Sequence, residues 1–169
     1  MRPFPRRRYR RLRDLIQDMR SPMARRDEMR TLMHGETLDP AFRERLMLAV
    51  TQVNGCRYCS YVHAREALTA GIPQDELAAL AEGEFGGSPP EQCPALFYAE
   101  HFAESDGNPA LKAWSRLVEI YGEETAHAID LILRVIRIGN LMGNTFDYLL
   151  YRLSFGRWGL GRKRTVSST

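Results

Sequence analysis

Apolar residues recur at three- and four-residue intervals along most of the chain, the spacing of helices that bury one face. Tyr9, Leu12, Ile16 and Met19 mark a short amphipathic helix. Ser21-Pro22 restarts the chain, which predicts a second helix over 23–34 that Gly35 stops. Asp39-Pro40 offers an N-cap oxygen and a proline for the first turn of a third helix. Leu46, Ala49, Val50 and Val53 give that helix, over 40–52, its buried stripe. Asn54-Gly55 breaks it, and the next helix begins near Cys56, spans 57–70 and ends at Gly71, so the two form an antiparallel hairpin. Ile72-Pro73 opens a helix over 75–82, and the stretch from Gly83 to Pro90, with three glycines and two prolines, is the clearest loop. Helical signal resumes over 93–105, stops at Asp106-Gly107, restarts at Asn108-Pro109 and ends at Gly122. Ile129, Ile132, Leu133 and Ile136 line a long helix over 123–142, which Gly143-Asn144 interrupts before a last helix to about Leu153. No stretch alternates as a strand does, and no repeat is evident. The pattern predicts an all-α domain of helices packed antiparallel across short turns.

Composition narrows the class. A chain of 169 residues, 44% apolar, suits one folded domain rather than a disordered segment. No run approaches the roughly 18–20 apolar residues of a membrane span, and the basic N-terminus lacks an apolar signal core, so cytoplasmic residence is expected. Three cysteines are a poor basis for a secreted disulfide scaffold. The net charge of +3 hides an asymmetry: residues 1–13 hold seven arginines and no acid, and Arg157, Arg162, Lys163 and Arg164 sit in an acid-free C-terminus. The chain between, 14–156, carries a net −8. It divides into a basic arm over 1–18, a helical domain over 19–154 and a basic tail over 155–169. Basic tails suit nucleic acid or anionic membranes. The acidic body favours a solubilising or subunit-clasping role instead, so neither is expected as a partner.

The chemistry concentrates in "VNGCRYCSYVH", residues 53–63. Cys56, Cys59 and His63 are i, i+3 and i+7, on one side of one helix. Cys56 falls in the first turn, where unpaired amide N–H groups and the helix dipole stabilise a thiolate, the reactive form. His63 stands one turn beyond Cys59, positioned to exchange a proton with it. On the preceding helix Glu44 lies about eight residues, or about 12 Å, before the turn, and His63 about 10 Å after it. In an antiparallel hairpin the two stand level, and a carboxylate there orients the imidazole and raises its basicity.

Three readings of these residues are open. Buried cysteines are often inert packing, although a C-x-x-C at a helix start with a histidine on the same face argues against that. Cys56, Cys59 and His63 are also good zinc ligands, but a structural site wants a fourth, and Cys93 or His101 would have to supply it from across the long loop. Cys93 itself, before Pro94, reads as a packed thiol. The third reading is a redox dithiol with its own proton relay. Elsewhere, Glu100, His101 and Glu104 read as a solvated polar face. Asn140, Asn144 and Asp147 share a face of the last helices, suited to capping a break at Gly143 or lining a subunit contact.

The segment "FRERLMLAVTQVNGCRYCSYVHAREALTAGI", residues 42–72, resembles the core hairpin of the alkylhydroperoxidase D-like, carboxymuconolactone decarboxylase superfamily. The family pattern is a glutamate, about a dozen residues, C-x-x-C, and a histidine after three more; here it falls on Glu44, Cys56, Cys59 and His63. "LILRVIRIGNLMGNTFDYLL" looks like the second half of longer members. The resemblance implies an all-helical fold assembled as trimers or hexamers. It also implies a thiol-dependent peroxidase with no bound cofactor or metal. Cys59 would attack the peroxide and Cys56 would resolve it. Glu44 and His63 would relay protons, and a dihydrolipoamide-type dithiol on a partner protein would restore the pair. Helix-start chemistry instead makes Cys56 the more acidic thiol; the resemblance, with His63 beside Cys59, favours Cys59 as the attacker. Well-studied peroxidases of the family carry a second histidine between the cysteines. This chain has Tyr58, whose pKa of about 10 makes it a poor relay and leaves it a role in shaping the pocket. Two other functions compete: a decarboxylase or isomerase of muconolactone-like acids, whose family members generally do without the cysteine pair, and a non-enzymatic thiol sensor or zinc-stabilised module.

Overall fold

A computed structural model describes residues 4–33 and 37–159. Among them are eight helices and no strand: α1 (Leu12–Ala24), α2 (Arg26–Met33), α3 (Pro40–Asn54), α4 (Arg57–Thr69), α5 (Gln74–Glu82), α6 (Cys93–Glu104), α7 (Leu111–Tyr121) and α8 (Glu123–Leu153). The fold is all-α, of the alkylhydroperoxidase D-like kind. None of these helices is long and apolar enough to cross a membrane.

Helix α3 is the axis of the domain and packs against α8, α6, α4 and α5. Its start follows from Asp39, whose carboxylate accepts the Phe42 N–H at 3.0 Å while Pro40 occupies the first turn. Its end follows from Gly55, which takes a left-handed conformation (φ +68°) that favours glycine and returns its N–H to the Thr51 carbonyl. The chain then reverses, and α4 runs back along α3 as the hairpin pattern predicts. Leu46 and Val50 of α3, Leu96 and Phe102 of α6, and Ile129, Ile132 and Leu133 of α8 are fully buried in one core. The 83–90 loop is tied to this core by a buried ion pair. Arg45 grips Glu76 with two bonds of 2.6 and 3.0 Å, and Ser88 donates to the same carboxylate at 2.7 Å. The Arg45 guanidinium holds the Glu76 carboxyl below its ordinary range.

Four boundaries differ from the sequence reading. Helix α1 runs through Ser21-Pro22 and yields only at Arg25. Pro22 costs the helix one hydrogen bond, but it is buried beside a hollow shared with Val135 and Ile138 of α8, and that packing holds the last turn together. Tyr9 lies before α1 rather than in it; its N–H donates to Thr145 Oγ1 at 3.1 Å and its hydroxyl to Asp18 at 2.8 Å. Helix α7 begins at Leu111, two residues beyond Pro109. Helix α8 continues without a break through Gly143-Asn144 for 31 residues. Gly35 and the basic residues Arg162, Lys163 and Arg164 lie outside the described residues.

The N-terminal arm folds back on its own chain. Arg6 pairs with Asp147 at 2.7 Å, Arg7 with Asp106 at 3.0 Å and with the Ala103 carbonyl. The Arg8 guanidinium lies 3.6 Å above the Tyr148 ring, and Phe4 packs against Tyr148 and Tyr151. The charge asymmetry of the sequence is therefore partly neutralised within one chain.

Candidate active site

The hairpin brings the two ends of the expected relay into place. Glu44, 3% exposed, accepts from or shares a proton with His63 Nδ1 at 2.8 Å, and Arg43 reaches the other carboxylate oxygen at 3.3 Å. A buried carboxylate held on both sides fixes the orientation of the His63 ring. Cys56 caps α4: it stands just before the first helical residue, and its sulfur accepts the backbone N–H of Cys59 at 3.3 Å. Both thiols are free and buried, Cys56 at 1% and Cys59 at 7% exposure.

The two sulfurs are hydrogen-bonded to each other and so are unequal. Donation from the Cys59 thiol is the main influence holding the Cys56 thiol down to about 7, against the opposing effect of burial. The Cys59 backbone N–H and the charge of Arg6 act in the same direction, and Asp147 opposes them. The bond to Cys56, and then burial, raise the Cys59 thiol, while Asn140 donates towards its sulfur. At rest the charge belongs to Cys56, as helix-start chemistry requires.

The link between the two ends is looser. No hydrogen bond joins His63 to Cys59 among the described residues; the imidazole sits one turn along the same helix. Tyr58 is 73% exposed, unlike its buried neighbour Cys59, so in the single chain it does not share the thiols' surroundings. Cys93 is occupied with the Phe85, Ser88 and Pro89 carbonyls, and His101 accepts the Ala110 N–H at 3.3 Å. Among the described residues no three His, Cys, Asp or Glu side chains are grouped to hold a metal ion. Within the Glu100, His101 and Glu104 face, Glu100 is partly buried and burial, then Glu104, raises its carboxyl.

Residues 22–104 match the carboxymuconolactone decarboxylase family model. Over this stretch, just under half of its length, the chain is similar to that family. No curated protein and no solved structure matches the chain. The carboxymuconolactone decarboxylase region runs from the end of α1 through α6, and so contains Glu44, Cys56, Cys59 and His63.

The roof of the site comes from outside that region, on α8. A Cβ at Gly143 would stand 2.9 Å from Cys56 Sγ and 3.9 Å from Cys59 Sγ, so only glycine fits where α8 crosses the start of α4. On either side of it are the fully buried Asn140 and Asn144. Asn140 donates to Thr51 at 3.0 Å and accepts from Asn54 at 3.2 Å; Asn144 donates to the Asn54 carbonyl at 2.8 Å. These asparagines neither cap a break nor face outward. They tie α8 to the C-terminal end of α3, while Asp147 binds Arg6 and Arg57. The sequence signal was present: two asparagines four apart, flanking a glycine on the line of the helix's apolar residues, indicate a close polar contact with a neighbouring element.

Two outcomes follow from this geometry. Gly139 has nothing within 4 Å of a Cβ, so Gly139→Ala gains the usual helix-interior benefit of about 0.5–1 kcal/mol in urea unfolding. Gly143→Ala forgoes that gain and loses about 1 kcal/mol or more to overpacking against Cys56. Mass-mapped alkylation of reduced protein at Cys56 is expected to rise with pH through a midpoint of about 7, and to fall away as the thiolate is protonated below it. A midpoint at the ordinary cysteine value of about 8.5 would contradict the assigned hydrogen bonds.

Proposed function

We propose that this protein reduces peroxides through a dithiol–disulfide cycle on Cys56 and Cys59, with Glu44 and His63 handling protons. The observation that carries this reading is the pair of free, buried thiols at the start of α4, linked by the Cys59 N–H bond to the Cys56 sulfur and one turn from an imidazole locked to a carboxylate. Members of the family are usually enzymes. The match itself fits a decarboxylase equally well; the thiol pair is what favours redox chemistry.

Cys59 is the more accessible sulfur and is the one the peroxide meets. Its proton passes to His63 through an intervening water, and the thiolate attacks one peroxide oxygen. A sulfur–oxygen bond forms, the oxygen–oxygen bond breaks, and the leaving alkoxide or hydroxide takes a proton from the imidazolium. Cys56, already the thiolate, then attacks the Cys59 sulfenic acid. The disulfide forms and hydroxide leaves, to be protonated to water. Two electrons pass from the dithiol to the peroxide. An external dithiol, of the dihydrolipoamide type, reduces the disulfide by exchange and completes the cycle.

The roles separate by mutation. Cys59→Ser abolishes peroxide consumption. Cys56→Ser reacts once and stops at a sulfenic acid that a dimedone probe captures at residue 59. Glu44→Gln and His63→Gln each slow the first step by about 10²-fold, and the double variant is little worse than either. Undiminished turnover in Cys59→Ser would sink the mechanism, and survival of lactone decarboxylation without either cysteine would support the rival reading.

We also propose self-association, as trimers or a multiple of them. Leu12 of α1 and Met142, Phe146 and Leu149 of α8 are half or more exposed, and Leu12, Met142, Phe146 and Leu149 line one apolar hollow. Light scattering at micromolar concentration is expected to give a mass of three chains or a multiple; a monomer of 19.4 kDa would contradict it.

A further inference from the structure

The Arg6 side chain reaches both α8, through hydrogen bonds, and the turn between α3 and α4, through packing. Its guanidinium donates to Asp147 at 2.7 Å, to Asn144 Oδ1 at 3.4 Å and to the Gly159 carbonyl. Its stem lies across the turn, with Cγ 3.3 Å from where a Gly55 Cβ would be. The side chain is 11% exposed, unusually buried for an arginine near a chain end. The next residue joins the same knot, since Asn144 also donates to the Arg7 carbonyl at 2.8 Å. The segment that follows α8 arrives here too. Gly159 sits so close to α8 that a Cβ on it would strike the Asp147 carbonyl, and Arg57 of α4 donates to both Asp147 and Gly159.

Cys56 follows Gly55 directly. The groups around its sulfur are therefore Cys59 on α4, Asp147 and Gly143 on α8, and Arg6 from the arm; Arg57 is turned to Asp147, and Glu44 and His63 lie farther along the hairpin. Asp147 and Arg6 are an ion pair of opposite sign placed beside one thiol. Two positive charges, Arg6 and Arg57, converge on the single carboxylate of Asp147, so the knot as a whole is cationic. Its members from the arm, from α8 and from the segment after α8 all lie outside the matched family region.

We propose that Arg6 is a positioning residue for the Cys56 thiol: anchored on Asp147 and Asn144 and laid across the Asn54-Gly55 turn, it straps the N-terminal arm over the dithiol and holds a fixed positive charge beside it. This inference rests on the dithiol reading of the site. It gives the arginine-rich terminus a task within its own chain. Loosening the strap uncovers the turn and withdraws the charge together, so the arm sets the fraction of Cys56 that is anionic.

The test is the pH profile of Cys56 alkylation by iodoacetamide in the reduced full chain, read by peptide mass mapping, for wild type, Arg6→Met and Arg6→Lys. Arg6→Met is expected to move the midpoint upward by about half a pH unit or more, so that alkylation at pH 7 falls about twofold or more. Arg6→Lys keeps the charge and is expected to return the midpoint towards wild type. A merely structural role would lower the unfolding midpoint and leave the pH profile in place. A wild-type midpoint in folded Arg6→Met overturns the proposal. Should circular dichroism show that Arg6→Met does not fold, Arg6→Gln against Arg6→Lys decides by the same two outcomes. The measurement uses no peroxide. A shifted midpoint in a protein that consumes no peroxide would retire the peroxidase reading and leave the role of Arg6 standing, and an unshifted midpoint in an active peroxidase would do the reverse.

Discussion

Helix α8 can carry no side chain where it crosses the start of α4, and the rest of the site is arranged around that contact. With a hydrogen atom at position 143, the backbone of α8 closes over both sulfurs. Water is thereby largely excluded from Cys56, and its charge must be stabilised by fixed groups: the Cys59 thiol and N–H and the Arg6 guanidinium. The close approach also places Asn140 and Asn144 within reach of the end of α3. A bulkier residue at 143 would part the helices and leave several buried amides without partners at once, each at a cost of about 1–3 kcal/mol.

Those amides explain why the hairpin register is definite. Apolar contacts between α3 and α4 tolerate sliding, because neighbouring positions are alike in size. Hydrogen bonds do not. Asn54 is held through both its side chain and its carbonyl by α8, which fixes the last turn of α3 against the outer helix. Gly55 then sets the reversal, and counting outward from that point brings Glu44 level with His63. The carboxylate–imidazole contact is thus a consequence of geometry settled a dozen residues away.

Much of this was legible in the sequence because it depends on local rules. Asp39-Pro40 and Asn54-Gly55 mark the ends of α3 by capping and left-handed geometry, and equal counts from the turn give the Glu44–His63 pairing. What stayed hidden depends on tertiary context. Gly143 reads as a helix break by propensity, yet its intrinsic penalty of about 1 kcal/mol is small beside the packing that runs along α8. Pro22 is the same case, a local breaker overruled by burial. The arm's arginines looked like a free tail because a sequence does not show which acids lie opposite; Asp147 is 141 residues from Arg6. Tyr58, weighed as a pocket residue from its place between the cysteines, is on the outside because the residue between i and i+3 of a buried pair must turn away from it.

In the proposed cycle, the inequality of the two sulfurs reconciles an anionic Cys56 with attack by Cys59. A dithiol cycle makes different demands on its members. The attacking sulfur must be reached by substrate and must lose its proton at the moment of reaction. The resolving sulfur must be anionic when the sulfenic acid appears, since a thiol would wait for deprotonation while further peroxide oxidised its partner beyond repair. A low-pKa thiolate is also a weaker intrinsic nucleophile than a high-pKa one, so storing the charge on the more enclosed sulfur sacrifices little in the first step. Cys56, capped by backbone N–H and covered by α8, has the properties of the resolving partner; Cys59, less enclosed and one turn from a base, has those of the attacker. Under the proposed cycle the conflict between helix-start acidity and the family's assignment dissolves: the resting charge would mark the thiol that acts second.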